Sequence, residues 1–217
     1  MDLFPGAIDN RKRVDPWIYL AEKKRTLFLS GPVGHGVPII IGGMSVPHMS
    51  AETVVDLMLA LDAENSNDPI RLMIDSPGGE ASLGLMLYDV MQCVRAPVFT
   101  IGRSMCASMA AVILAAGREG HRYAFPNCTM MLHLGWGGSE GRGKERKKRE
   151  KWLDACDERL ARIIIKHCKK VDLTPQQIIE EWDEERELWM FPEQAIDYGL
   201  IDKVVTPEIY RAELFPV

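Results

Sequence analysis

Ser108 is the residue with the clearest potential for nucleophilic chemistry in this sequence. It begins an apolar segment, 109–117, that has the composition of a buried helix, and its neighbours Ala107 and Ala110 are small. A serine hydroxyl is a weak nucleophile unless a base takes its proton and N–H groups hold the resulting oxyanion. The first turn of a helix supplies N–H groups and a favourable dipole. The alternative interpretation is structural, because serine is also a common N-cap of buried helices.

A candidate base, candidate acids and a tight turn accompany Ser108. His133 ends the apolar segment 128–133, and the acidic stretch 183–187 comes later in the chain. Serine hydrolysis needs a base beside the hydroxyl and an acid that orients this base, and the order serine, histidine, acid is one permitted arrangement. The turn Ser-Pro-Gly-Gly at 76–79 follows the predicted strand that precedes the strand of Ser108. Together these features favour the catalytic interpretation of Ser108 over the cap.

Strand-like and helix-like segments alternate along the chain, and this alternation predicts how the candidate residues meet. The predicted strands are 26–30, 70–75, 98–101, 128–133 and 200–205, with a loop or an extra strand at 37–41. The predicted helices follow Ser50, Gly79 and Ser108, and others span 144–167, begin at the cap Thr174, and lie between Pro192 and Gly199. Such a chain folds as α/β with a largely parallel sheet flanked by helices. Active sites in open sheets of this class lie beyond the carboxyl ends of strands, where the turn, Ser108 and His133 are expected.

The composition fits a globular protein with one core and narrows the function classes. The 217 residues are 47% hydrophobic and carry a net charge of −5, which argues against nucleic acid as the main partner. No apolar run has membrane-spanning length, and residues 1–13 lack the apolar core of a secretory signal. The five cysteines are odd in number and show no metal-ligand spacing with the histidines. We therefore expect a cytoplasmic protein with reduced thiols, no bound metal and no membrane partner.

Several short motifs along residues 25–205 are individually weak but specific in combination. They are RTLFLSG (25–31), LDAEN (61–65), IDSPGG (74–79), LYDVMQ (87–92), ASM (107–109), PN with MLH (126–127 and 131–133) and AIDYGLID (195–202). In this order and at this spacing they resemble the caseinolytic (Clp) protease family of serine peptidase subunits. The resemblance implies a ClpP/crotonase-like α/β fold, with an N-terminal arm at 1–25 and a single peptidase domain at 26–217. It also implies a protruding strand–helix handle at about 134–170.

The resemblance further implies which residues carry the chemistry. Ser108 would be the nucleophile and His133 the general base, and the backbone N–H groups of Gly79 and Met109 would form the oxyanion hole. Glu187 occurs where the family usually has an aspartate, and a glutamate can orient a histidine in the same way. Its extra methylene shifts the carboxylate, so two alternatives stay open: another acid such as Asp183, or no functional acid.

The function implied by the resemblance is that of a self-compartmentalising serine endopeptidase that cleaves unfolded polypeptides to short peptides. Two heptameric rings, homomeric or mixed, would stack through the handle, and 135–143 would line the substrate groove. The chain lacks an intact nucleotide-binding motif, so ATP would be used by a separate hexameric AAA+ unfoldase and this chain would need no cofactor.

Two other functions stay open. One is a catalytically weak or inactive paralogue that serves as a ring subunit, although the presence of both Ser108 and His133 argues against it. The other is a crotonase-like acyl-CoA enzyme of related fold, which would not need a serine and a histidine at these two positions.

Overall fold

The structure is a computed structural model, and it describes residues 16–34, 39–41, 44–46, 50–134, 144–169 and 172–216. The strands are β1 (Thr26–Ser30), β2 (Ile39–Ile41), β3 (Met44–Val46), β4 (Ile70–Ser76), β5 (Val98–Ala107), β6 (Arg122–Ala124), β7 (Thr129–Leu132), β8 (Leu188–Met190) and β9 (Lys203–Val204). The helices are α1 (Pro16–Lys24), α2 (Ala51–Glu64), α3 (Ala81–Cys93), α4 (Met109–Ala115), α5 (Lys144–His167), α6 (Pro175–Glu185), α7 (Pro192–Tyr198) and α8 (Pro207–Ile209), which continues into a π-helical segment at Tyr210–Leu214.

The main sheet has seven strands in the described part of the chain and is parallel except at one edge. Its order is β1–β4–β5–β6–β9; β7 pairs with β5, and β8 pairs antiparallel with β7. Strand β5 has two partners on one side because it is long: residues 100–102 pair with β6, and residues 105–107 pair with β7. This arrangement places β7 and β8 beside the carboxyl end of β5.

The α/β class and the parallel sheet predicted from the sequence are confirmed. Helix α5 has the predicted bounds, 144–167. Ser50 caps α2 by accepting a hydrogen bond from the Thr53 N–H (3.2 Å), and Thr174 forms the predicted capping box of α6 with Gln177. These local signals were readable because each depends on residues close together in the sequence.

Other elements differ from the prediction, because they depend on partners far away in the chain. Strand β5 continues beyond residue 101 to Ala107, since its second half pairs with β4 after a register shift and with β7. The closing strand is shorter than 200–205 and comprises only β9. Helix α1 occupies part of the predicted arm. Of the two alternatives for 37–41, the extra strand is present as β2, and β3, which was not predicted, pairs with it.

Helix α4 lies at the centre of a continuous hydrophobic core. All of its residues are buried, and it contacts α3, α5, β4, β5 and β7. A helix that is apolar on every side is expected in such a position. None of the described helices combines the length and apolar character that a membrane span requires.

Candidate active site

The turn that follows β4 lies directly beside Ser108. Gly78 has a φ of +87°, and a Cβ added to it would lie 2.6 Å from the Cβ of Ser108. Gly79 has a φ of +151°, and a Cβ there would overlap the backbone of Val33. Val33 holds the turn through two hydrogen bonds, one from its own N–H to the Gly78 carbonyl and one from the Glu80 N–H to its carbonyl, both 2.7 Å. Glycine is therefore required at both positions by backbone conformation and by close approach.

Ser108 joins β5 to α4 in a backbone conformation that residues other than glycine rarely adopt. Its φ is 56° and its ψ is −127°, and strained residues of this kind cost about 1–3 kcal/mol and occur often at functional sites. Its N–H donates to the Met131 carbonyl of β7 (2.7 Å), which ties the serine to the neighbouring strand. The serine side chain makes no capping hydrogen bond to α4, all of which the structure describes. The Ser108 hydroxyl therefore does not act as the N-cap of α4.

The Ser108 hydroxyl instead contacts His133, the first residue after β7. Strands β5 and β7 are parallel with Ala107 opposite Met131, so the two chains leave the sheet at the same edge. The resulting distance from Ser108 Oγ to His133 Nε2 is 2.8 Å. When Nε2 is unprotonated, the serine hydroxyl donates to it. This is the geometry in which an imidazole can take the hydroxyl proton.

Burial and charge act on the His133 imidazole in opposite directions. Burial is the larger effect and lowers the pKa of His133 below its ordinary value of 6.5, whereas the negative charges of Glu187 and Asp157 raise it. The net shift of the pKa is downward, which favours the neutral imidazole at pH 7. A general base must be neutral before it accepts a proton, so this environment suits that role.

Strand β8 brings Glu187 to the same edge of the sheet. Leu188 lies opposite Leu132 in the antiparallel β7–β8 pair, so the register continues to Glu187 opposite His133. The Glu187 side chain is exposed, and its carboxylate accepts a hydrogen bond from Trp189 Nε1 (3.0 Å). The alternative acid, Asp183, is an exposed residue of α6. Of the two acids named from the sequence, the strand register thus places Glu187 opposite the histidine.

Asp157 of α5 is a second carboxylate near His133, and the sequence did not single it out. Its side chain is buried, with 9% of the residue exposed, and its charge acts on the imidazole as that of Glu187 does. It precedes Leu160 by three positions and Ile164 by seven, which places it on the apolar face of the helix. The sequence alone could have indicated this residue, because an acid on the apolar face of a helix is costly to bury unless other groups compensate its charge.

The backbone N–H groups proposed for the oxyanion hole lie on the two segments that meet at Ser108. Met109 is the first residue of α4, where N–H groups have no acceptor within the helix. In the turn, the N–H of Gly78 donates to Ser76 Oγ and that of Glu80 donates to Val33. No described hydrogen bond uses the N–H of Gly79 between them. Both amides are therefore available for an oxygen that binds beside the serine.

The predicted groove strand at 135–143 lies outside the described residues. The other candidate residues all lie on the same side of the main sheet, where β4, β5 and β7 end and β8 begins. Ser108 and His133 are in direct contact, and the register places Glu187 opposite the histidine.

A comparison with models of protein families identifies the family to which the chain belongs. A family model described as Clp protease matches residues 36–208, which is most of the chain and includes every candidate residue above. The mixed α/β structure with its mainly parallel sheet is consistent with that family. The chain is therefore a member of the Clp protease family and a peptidase of that type.

Proposed function

We propose that this chain is a serine endopeptidase that cleaves unfolded polypeptides into short peptides. The observation that carries the proposal is the 2.8 Å contact between Ser108 Oγ and His133 Nε2, made beside the turn at Gly78 and Gly79. A strained, half-buried serine bonded to a histidine of lowered pKa is a typical arrangement for acyl transfer.

The reaction follows from the positions of these groups. His133 Nε2 takes the Ser108 proton while Oγ attacks the peptide carbonyl carbon. The N–H groups of Gly79 and Met109 stabilise the oxyanion of the tetrahedral intermediate. His133 then gives its proton to the leaving amine, which leaves an ester on Ser108. A water molecule, deprotonated by His133, attacks this ester and releases the new carboxyl end.

Glu187 is the proposed orienting acid. Its place opposite His133 in the β7–β8 register supports this role, and a carboxylate there favours the imidazolium that forms during the reaction. The hydrogen bond that it accepts from Trp189 favours a second possibility, in which the chain is a catalytically weak ring subunit. The activity of the purified chain distinguishes the two.

The proposed active particle contains many subunits, as two stacked heptameric rings that are homomeric or mixed. Support comes from the family and from α5, whose Leu160, Ile163 and Ile164 are buried within the chain whereas Trp152 is 55% exposed. Trp152 lines a cleft of about 560 Å³ between α3 and α5, and a large exposed aromatic side chain in a cleft is suited to an interface. We place the particle in the cytoplasm, where a hexameric AAA+ unfoldase would use ATP to supply unfolded chains.

The test is labelling of the purified protein with a fluorophosphonate, with the native mass measured on the same sample. One label per chain at Ser108, and none in Ser108→Ala, is the expected result. The variant removes one oxygen and should leave assembly unchanged. Labelling that persists in Ser108→Ala would assign the nucleophile to another residue, and a protein that neither reacts nor cleaves peptides would be the inactive ring subunit.

A further inference from the structure

The antiparallel pair of β7 and β8 has two faces that differ in burial. Residues opposite each other across such a pair share a face, and successive residues along a strand alternate between the faces. One face is apolar, and its residues, which are buried or half-buried, are Met130, Leu132, Leu188 and Met190. The other face carries Met131 opposite Trp189 and, by continuation of the register, His133 opposite Glu187. The histidine, the acid and the tryptophan therefore share one face of the pair.

A hydrogen bond joins the acid to the tryptophan on this face. Glu187 and Trp189 are two positions apart, so their side chains lie side by side along the strand direction. The Trp189 Nε1–H donates to Glu187 Oε2 at 3.0 Å. A carboxylate has a second oxygen that can accept from another donor. The indole thus restrains the Glu187 carboxylate without using all of its capacity to accept hydrogen bonds.

The exposure and length of the Glu187 side chain make such a restraint important. The residue is exposed, and a glutamate has one more rotatable bond than an aspartate. Holding a glutamate in one position therefore costs more rotamer freedom than holding an aspartate. Among the charges that act on His133, that of Glu187 has the largest effect, and it would act less if the carboxylate occupied many positions in solvent. A hydrogen bond from the same face reduces the number of these positions.

We propose that Trp189 is a positioning residue whose indole N–H holds the Glu187 carboxylate on the face that carries His133. The inference rests on the proposed function, because it concerns the orienting acid of the Ser108–His133 site. Trp189 acts here through Glu187 and not on the substrate. If the indole instead drew the carboxylate away from His133, its removal would change catalysis in the opposite direction, and the experiments below detect this.

The first experiment compares two variants that each remove one hydrogen-bond donor. Trp189→Phe keeps an aromatic ring on β8 but has no N–H. With an internally quenched peptide that contains leucine, its kcat should fall about 3- to 10-fold, as expected for one lost hydrogen bond, with little change in KM. Tyr198→Phe is the matched control, because it removes an aromatic donor to another glutamate, Glu181, at 3.2 Å, and its kcat should not change. An unchanged or raised kcat in Trp189→Phe would overturn the inference.

The pH profile separates positioning from a merely structural effect of the substitution. The negative charge of Glu187 raises the pKa of His133, so a carboxylate that is no longer held near the ring leaves this pKa lower. The acidic limb of kcat/KM should therefore move to lower pH in Trp189→Phe, as in Glu187→Gln. Asp157 of α5, which also acts on the imidazole, is the same in both variants. A limb that stays in place, or one that moves to higher pH, would contradict the proposed role.

A double-mutant cycle tests whether the effect of the indole passes through the acid. Glu187→Ala removes the acceptor, so adding Trp189→Phe to it should change neither kcat nor the rate at which a fluorophosphonate labels Ser108. A further loss of about 3- to 10-fold in the double variant would assign the effect to the aromatic ring and not to its N–H.

Failure of the inference can be told from failure of the proposed function. A wild-type protein that takes a fluorophosphonate on Ser108 and cleaves the peptide, with Trp189→Phe equal to it, is a serine peptidase in which Trp189 does not position the acid. A wild-type protein that neither reacts nor cleaves the peptide refutes both.

Discussion

At the scale of single residues, the ionisation of His133 can be measured through the pH dependence of kcat/KM. Burial lowers its pKa below 6.5, while Glu187 and Asp157 oppose this effect. In the proposed mechanism the neutral imidazole is the active form, so kcat/KM should fall only as the pH drops through a value below 6.5. Asp157→Asn removes a charge that favours the protonated ring, so the acidic limb should move to still lower pH. A pH profile of a leucine-containing peptide measures this, and a limb that moves to higher pH would contradict the assignment of charges.

The orienting acid is a second question at this scale. Glu187→Gln keeps the shape of the side chain but removes its charge, and loss of the orienting acid in a serine protease costs on the order of 10⁴-fold in kcat. Glu187→Asp should cost less, because the carboxylate remains. Asp183→Asn should have little effect, since Asp183 is an exposed residue of α6. If Asp183→Asn is inactive and Glu187→Gln is not, the register that places Glu187 opposite His133 does not describe the active enzyme.

At the scale of elements, the turn after β4 lies against Ser108, the proposed nucleophile. Gly78 and Gly120 have nearly the same φ, +87° and +81°, so alanine at either position meets a similar backbone strain of about 1–2 kcal/mol. A Cβ at Gly78 meets Ser108, whereas one at Gly120 has no atom within 4 Å in the described structure. Displacement of a reacting group by about 1 Å costs on the order of 10²-fold. We expect this loss in kcat for Gly78→Ala and near-wild-type kcat for Gly120→Ala; equal values would show that the turn does not position Ser108.

At the scale of the whole molecule, Arg122 connects several elements through one buried side chain. It pairs with Asp202 at 2.5 Å and donates to the carbonyls of His167 and Gly199, both at 2.8 Å. Burial acts to raise the pKa of the Asp202 carboxyl, but the hydrogen bonds and charge of Arg122 outweigh it and hold the pKa below 3.8. Stability from this pair is therefore present above that value and is lost as the pH falls through the lower pKa of the folded state.

Removing Arg122 should destabilise the fold strongly. The side chains of Arg122 and Asp202 are only 5% and 17% exposed, and breaking a buried pair costs about 3–5 kcal/mol. Arg122→Met should lower the urea midpoint accordingly, and adding Asp202→Leu should restore part of the loss. Glu119→Gln, which breaks the exposed pair with Lys169, should change the midpoint little. A small effect of Arg122→Met would show that the pair does not hold these elements together.

Assembly is the second property of the whole molecule that can be tested. Trp152→Glu places a charge in the cleft between α3 and α5, so it should weaken contacts between subunits if a second copy covers this surface. Light scattering after size-exclusion chromatography should show a smaller particle, with peptidase activity reduced in parallel. Trp189→Glu is the control, because it alters another exposed tryptophan. Trp189 lies on β8 near Glu187, so the activity of this variant is not compared. Its particle mass should equal that of the wild type. A fully active monomer of 24.4 kDa would refute the compartment model.

The sequence by itself determined the α/β class, the bounds of α5, the caps of α2 and α6, and the candidates Ser108 and His133. Helix periodicity and capping depend on residues within about one or two turns, so these signals are local. The two candidates could be named because each has a reactive side chain at the end of an apolar segment. The tertiary structure alone decided that β5 is long enough to pair with β6 and then β7, which brings the two side chains to 2.8 Å.

The candidate acids also separate what the sequence shows from what only the folded chain shows. Four acidic residues occur in the stretch 183–187, and the family resemblance named Glu187 while Asp183 stayed open. The β7–β8 register places Glu187 opposite His133, because antiparallel pairing sets which residues face each other across strands far apart in sequence. Asp157 approaches the site only because α5 packs beside it. Pairing register and helix packing are interactions between distant segments, so they became readable only in the folded chain.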